Sequence, residues 1–333
     1  MIDFRYHVVS IIAVFLALTV GLVLGATIVN QDAVNNLHGT INGQTNQINT
    51  LKQNNRSLTG SNGQLQNYID TTKDNLVSGA LEPYSVIVVR IDGSDDGLDK
   101  STLSLIKQAS ATIASDITVN KTFADGSSTD QLAQLVSAYT PLGQPVTGTG
   151  TTAAMNLLAE ALTAQQSLST PPTSSGITSN APSTMTPDWA VRTLQAFAQN
   201  GVITVNTMPS SAVVTRPNAA FIAAPTEASG APANAAYIAL AEALHADGTG
   251  AVIAGTAGAA GTGGLITAVL KSPAAKSVST VDDVDQTTGQ VAVVFVLYQE
   301  AANASAAAGH YGTVGTTDGL LPKLPTLPTP SAS

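Results

Sequence analysis

Three stretches of the chain gather residue types that could do chemistry. Asp92-Gly-Ser-Asp95-Asp96-Gly97 spaces its carboxylates partly like a calcium loop, but Leu103 stands at the twelfth position, where a bidentate Glu is needed. An acidic turn is the plainer reading of the same residues. Val281-Asp282-Asp283-Val284-Asp285 offers three carboxylates, suited either to a hard cation or to capping the helix that follows. The glycines between Gly255 and Gly264 have the density of an anion cradle, yet a P-loop Lys and a complete GxGxxG are both missing, so a plain loop is expected. Asp92, Asp95, Asp96, Asp282, Asp283 and Asp285 are thus the candidate cation or ligand residues. No Ser/His/Asp signature and no HExxH occur, so the chain is not read as an enzyme and no cofactor is expected; an enzyme using the acidic loops around Asp92 and Asp282 stays as an alternative.

Composition narrows the classes further. Cysteine is absent, which removes disulfides, thiolate metal sites and a Cys nucleophile. The 22 acidic residues outnumber the 13 Lys and Arg, and no basic run could displace counterions from phosphate, so nucleic acid is not an expected partner. Hydrophobic residues reach 44% while aromatics are 4% and charged residues 11%, enough Val, Ile and Leu to build a core from small side chains.

The elements that must position these residues begin with Val8–Val29, a run without a charge. At 1.5 Å per residue it spans about 30 Å, the hydrocarbon thickness, and it is read as an uncleaved transmembrane anchor rather than a signal peptide. Residues 1–7 form a short cytoplasmic tail, because Arg5 is the only nearby basic residue and the positive-inside rule then puts the body outside. Residues 30–80 form a coiled-coil stalk. With Val34 at position a, the a/d series is Val34, Leu37, Ile41, Gln44, Ile48, Leu51, Asn55, Leu58, Asn62, Leu65, Ile69, Thr72 and Leu76. Asn55 and Asn62 at a positions specify register and favour a parallel homodimer. Gly39, Gly43, Gly60 and Gly63 each weaken the helix by about 1 kcal/mol. Ala17, Gly21 and Gly25 form a small-xxx-small-xxx-small face that permits close helix approach. This face lies about 120° from the backward-extended heptad seam. Either the helix bends near Asn30, or the glycine face receives another membrane helix. Phe4, Arg5, Tyr6 and His7 have the composition of a binding hot spot, and equally that of an interface anchor.

Residues 81–315 read as alternating strands and helices. Strands are expected at Tyr84–Ile91, Ile117–Phe123, Val202–Val205, Ala220–Ala223, Ala251–Gly255 and Val278–Val281. Helices are expected at Leu98–Ile113, after an Asp130 cap, and at Thr151–Leu168, Asp188–Gln199, Asn234–His245 and Thr262–Leu270. Gln290–Glu300 is strand-like in composition but is read as helix from the capping box Thr287-x-x-Gln290. A Pro/Ser/Thr-rich flexible insert occupies 169–187, and a disordered Pro-rich tail occupies 316–333. The fold class is therefore α/β: an N-terminal transmembrane helix, a coiled-coil stalk and a mostly parallel, doubly wound, Rossmann-like domain.

The segment MIDFRYHVVSIIAVFLALTVGLVLG, the heptad stretch, STVDDVD (Ser279–Asp285) and GHYG (Gly309–Gly312) together resemble an actinobacterial envelope family. It is the mycobacterial copper transport protein B family, MctB, whose corynebacterial relative is called SteB. The resemblance covers nearly the whole chain and is most specific at the N-terminus; the insert at 169–187 and the tail after Gly319 depart from it. It implies two roles: copper efflux and resistance through an outer-membrane pore, or a bitopic protein paired with a SteA-like membrane partner in cell division and envelope remodelling. Copper chemistry disfavours the first. Cu(I) prefers Cys and Met, and Cu(II) prefers His. Here Met1, Met155, Met185 and Met208 form no motif, and His7, His38, His245 and His310 lie in four different segments. One apolar helix cannot line an aqueous path, and no series of alternating membrane strands is visible. The expected function is a single-pass, dimeric envelope scaffold with a SteA-like partner and the bilayer as its contacts; metal ligands are left open.

Overall fold

The computed structural model describes residues 4–124, 128–141, 147–164, 187–207, 217–303, 307–314 and 318–323. The expected insert at 169–187 lies outside them except for its last residue, and the expected tail at 316–333 is described only at 318–323. The chain divides into two compact units, one ending at Leu65 and one starting at Gln66.

Helix α1 (Phe4–Val77) runs through the first unit and supplies the opening turns of the second. Its backbone is helical at Asn30, where a bend was one of two alternatives. Phe4–Ala26 has a mean hydropathy of 2.7 and is long and apolar enough to cross a membrane. Polar Thr19 is tolerable in that stretch because its hydroxyl donates to the carbonyls of Phe15 and Leu16. Beyond the span, Val34, Leu37, Ile41, Ile48, Leu51, Leu58 and Leu65 are exposed, between 44% and 66% of each residue. A Cβ at Gly39, Gly43, Gly60 or Gly63 would meet nothing within 4 Å. A helix so polar and glycine-rich is not held by propensity, so its apolar row is the feature that could sustain it.

The second unit is built on a seven-stranded sheet. Its strands are β1 (Ser85–Ile91), β2 (Thr112–Val119), β3 (Ile203–Thr207), β4 (Ala219–Ala223), β5 (Gly250–Ala254), β6 (Val278–Val281) and β7 (His310–Tyr311). The spatial order is β3-β2-β1-β4-β5-β6-β7. Every pair is parallel except β2–β3, which is antiparallel. The helices are α2 (Asp96–Gln108), α3 (Thr129–Tyr139), α4 (Gly150–Thr163), α5 (Pro187–Gln199), α6 (Ala231–Ala246), α7 (Leu265–Leu270) and α8 (Thr287–Ala302).

Alternation along the strands sorts the core into two layers. Ile87, Val89, Ile91, Ile222 and Ile253 face α3 to α7, while Val86, Val88, Phe221, Val252 and Val281 face α2 and α8. Burial on both faces explains why these strands read as continuous apolar runs. Helix α8 is apolar on nearly every side, and Gln290 to Leu297 are all buried, as a helix in the middle of a core must be. The end of α1 joins the same layer: Val77 is buried and Ile69 packs against it. The last heptad positions are thus already engaged by the body, and the free apolar row ends near Leu65.

Several sequence expectations shift. The second strand starts at Thr112 and stops at Val119, with a 3-10 turn at Lys121–Phe123. Polar Asp116 hid its first half, yet Arg90 Nη2 holds that carboxylate at 2.8 Å. The first body helix ends at Gln108, and Ser110, at φ 70°, turns the chain into the strand. Ser128 rather than Asp130 is the residue preceding α3. The helix expected from Thr262 begins at Leu265. The capping box is not formed: Thr287 Oγ1 donates to Asp70 and Gln290 Nε2 to the Val284 carbonyl. Strand β7 was not anticipated.

Candidate functional site

In a doubly wound sheet the crevice lies beyond the carboxyl ends of the strands, where the order reverses. Here β2 and β4 flank β1, so the reversal is at β1. A cleft of about 470 Å³ opens there, lined by Asp92 and Gly93 after β1, Lys121 and Thr122 after β2, Pro225 to Ser229 after β4, and Ala233 and Tyr237 of α6. Thr226 ties its floor together, its N–H and Oγ1 both donating to the Gly93 carbonyl at 2.9 and 3.2 Å. Gly93 sits at φ 100°, a conformation open to glycine.

The acidic loop after β1 does not act as one unit. Asp92 lines the cleft. Asp95 caps α2, its Oδ1 accepting from Gly97 N–H at 2.8 Å and Leu98 N–H at 3.0 Å. Asp96 is exposed in the first turn of α2. Asp99, which sequence reading passed over, is buried beside this edge, and Ser94 Oγ donates to it at 2.5 Å. Burial pushes its carboxyl up to about 6, against the pull of Ser94 and Arg90.

The acids after β6 also separate. Asp282 is buried and accepts from Thr313 N–H and Val314 N–H, at 2.6 and 3.1 Å for Oδ1. Burial raises its pKa, and those two N–H groups oppose the rise. Asp283 is buried, with its carboxyl pushed up to about 6 by burial and by Asp282 and Asp285. Asp285 is exposed. Among the described residues no three His, Asp or Glu side chains are placed to hold a metal ion.

What these acids do instead is join two sequence motifs. STVDDVD starts within β6, GHYG contains β7, and the strands pair in parallel. Thr280 N–H donates to the Gly309 carbonyl and Asp282 N–H to that of Tyr311. Gly312, at φ 129°, lies so close that a Cβ would overlap the Asp282 carboxylate. His310 is locked from both sides. Its Nε2 is 2.9 Å from the Ala275 carbonyl, which can only accept, so Nε2 carries the proton and Nδ1 accepts from Thr280 Oγ1 at 3.0 Å. In that tautomer the ring's one lone pair, on Nδ1, is engaged by the Thr280 hydroxyl. Ser279 Oγ accepts from Gly309 N–H and donates to Glu300 Oε1. Glu300 is 4% exposed, and burial pushes its carboxyl up to about 7. It is an acid ending the apolar run of α8, the one sequence signal that could have flagged it.

The remaining predicted residues lie on α1. Phe4, Arg5, Tyr6 and His7 form its first turn, and all four are exposed. Ala17, Gly21 and Gly25 share a face by their four-residue spacing, and a Cβ at either glycine would meet nothing within 4 Å. Asn55 and Asn62 are exposed on the row that carries Leu51, Leu58 and Leu65.

The Gly255–Gly264 loop is packed rather than open. A Cβ at Gly258 would overlap the Thr226 carbonyl, and one at Gly264 the Ala259 carbonyl. Its glycines serve close backbone contact.

Comparison with known proteins gives a consistent result. The family profile described as "Copper transport outer membrane protein, MctB" matches residues 1–322. Proteins named copper transporter MctB from Mycobacterium bovis and Mycobacterium tuberculosis are 28% identical over 144 residues, 43% of this chain. The aligned stretch spans 46% of those relatives' length. The profile takes in the apolar helix, the heptad row, the sheet and the β6–β7 edge, and so the chain belongs to the MctB family.

Proposed function

We propose that this chain is a single-pass, membrane-anchored envelope protein that acts as a homodimeric scaffold, with its α/β body outside the cytoplasm and a SteA-like membrane protein as partner in envelope and cell-division control. The observation that carries the reading is the exposed apolar row of α1. Burying a Val, Leu or Ile side chain stabilises by about 1.5–3 kcal/mol. Seven such residues lie in the row from Val34 to Leu65. Their burial in a partner helix outweighs the roughly 4 kcal/mol lost to four helix glycines. Arg5 on the short side supports the orientation through the positive-inside rule. The glycine face lies off the heptad row, which leaves it for a second kind of partner, and the exposed Phe4–His7 turn has a hot-spot composition.

The test is crosslinking and co-purification with the full chain in its native membrane. Cysteines placed at Asn55 or Asn62 are expected to give homodimer crosslinks, and Gly21→Leu with Gly25→Leu to release the membrane partner without losing those crosslinks. A chain that crosslinks to no copy of itself overturns the scaffold reading.

Copper movement is the second reading, favoured by the description of the family and by the names of the relatives. It requires ligands or a polar conduit, and the His310 ring is already saturated. Within the scaffold reading, copper sensitivity follows indirectly from an altered envelope.

A further inference from the structure

We propose that the cleft at the β1/β4 reversal binds a small zwitterion, an α-amino acid or a short peptide with a free ammonium and a free carboxylate. The inference is independent of whether the chain dimerises or moves copper. Its volume of about 470 Å³ suits a small molecule. The site is preformed: Thr226 clamps the β4 loop to Gly93 of the β1 loop through two hydrogen bonds. Its charges are mixed, with Asp92 and Glu227 on one count and Lys121 on the other. Ala228 adds exposed apolar wall, backed by the buried Pro225 and Tyr237.

Each alternative leaves something unmatched. A nucleotide would bring phosphates against Asp92 and Glu227, and the neighbouring start of α2 is already occupied by the carboxylate of Asp95. The chain also carries a formal net charge of -9, which repels anions at long range. A neutral sugar would offer hydroxyls to Lys121 and the two carboxylates but no charge to match theirs. A zwitterion satisfies both signs: its ammonium meets Asp92 and Glu227, its carboxylate meets Lys121, and its side chain lies on Ala228.

The experiment is calorimetry and saturation-transfer NMR on the full chain in detergent micelles. The probes are L-leucine, L-lysine and the dipeptide Ala-Ala, with AMP and glucose as counter-probes. At least one zwitterionic probe is expected to bind, and AMP and glucose are not. Asp92→Asn combined with Glu227→Gln, and separately Lys121→Met, are each expected to weaken binding about tenfold, the effect of losing a charge-assisted contact. Glu242→Gln, in a different groove, is expected to change nothing. Unaltered circular dichroism and Trp189 fluorescence establish that the variants are folded. Failure of every zwitterion to bind, tighter binding of AMP or glucose, or full affinity in the Asn/Gln variant each overturns the proposal.

Discussion

Replacing Glu300 by Gln should invert sign with pH. In the folded chain this carboxyl sits at about 7, against 4.5 for the free group, because it is buried on α8, a rise that the hydrogen bond from Ser279 opposes. The neutral form is therefore favoured by folding. Its stabilisation is fully present below about pH 4.5 and is lost as pH rises through about 7. A shift from 4.5 to about 7 corresponds to roughly 3 kcal/mol lost by pH 8. Gln keeps the acceptor for Ser279 and cannot ionise, so it escapes that loss. It brings an NH₂ to a position where Glu300 Oε2 has no hydrogen-bond partner, at a cost of about 1 kcal/mol. The variant should thus be about 1 kcal/mol less stable near pH 3.5, about equal near pH 5 and about 2 kcal/mol more stable near pH 8. Asp99 and Asp283 are raised too, but they titrate in both chains and cancel in the difference. Urea unfolding of the full chain in micelles, followed by Trp189 fluorescence, reads this directly. Trp189 is the only tryptophan and its Nε1 donates to the Tyr139 carbonyl inside the body. A stability difference that stays constant between about pH 5 and pH 8 would refute the reasoning.

Three further outcomes are expected. Asn55→Ile with Asn62→Ile should raise the thermal midpoint of the full chain and broaden its oligomer distribution in light scattering; an unchanged midpoint counts against a buried seam. Gly312→Ala forces a Cβ onto Asp282 at a positive φ, and should lower unfolding stability by about 2 kcal/mol or more. Calorimetry with Cu(I) and Cu(II) against a competing chelator should show no stoichiometric complex tighter than micromolar, and finding one would restore a transport role for the chain.

The legible parts of the fold were those in which one segment carried its own signal. SVIVVRI is a nearly continuous apolar run because it is buried on both faces, and α8 is apolar all round for the same reason. The second strand was misplaced because Asp116 interrupts its pattern, and only partners on the neighbouring strands, Arg90 of β1 and Asn206 of β3, make that acid tolerable. Strand β7 has two residues, too few for any periodicity. The cleft divides similarly. Asp92 stood out as one acid among several, but Lys121 and Glu227 carry no local mark. They reach Asp92 through the strand order alone, which a pattern search along the chain does not see.

The strand order also dictates when the body can assemble. Strand β1 is central, yet its partner β4 follows far downstream, and the Asn218 side chain closes onto Ser85 N–H across 133 positions. A polypeptide leaving the ribosome can pair β1 with β2 early, but holds the other edge of β1 unpaired until about a hundred further residues have emerged. Closing so large a loop before any contact rewards it makes for slow, non-local folding. The half-made sheet is then an open edge exposed to misassociation and to chaperone capture, a hazard that shrinks only when β4 docks.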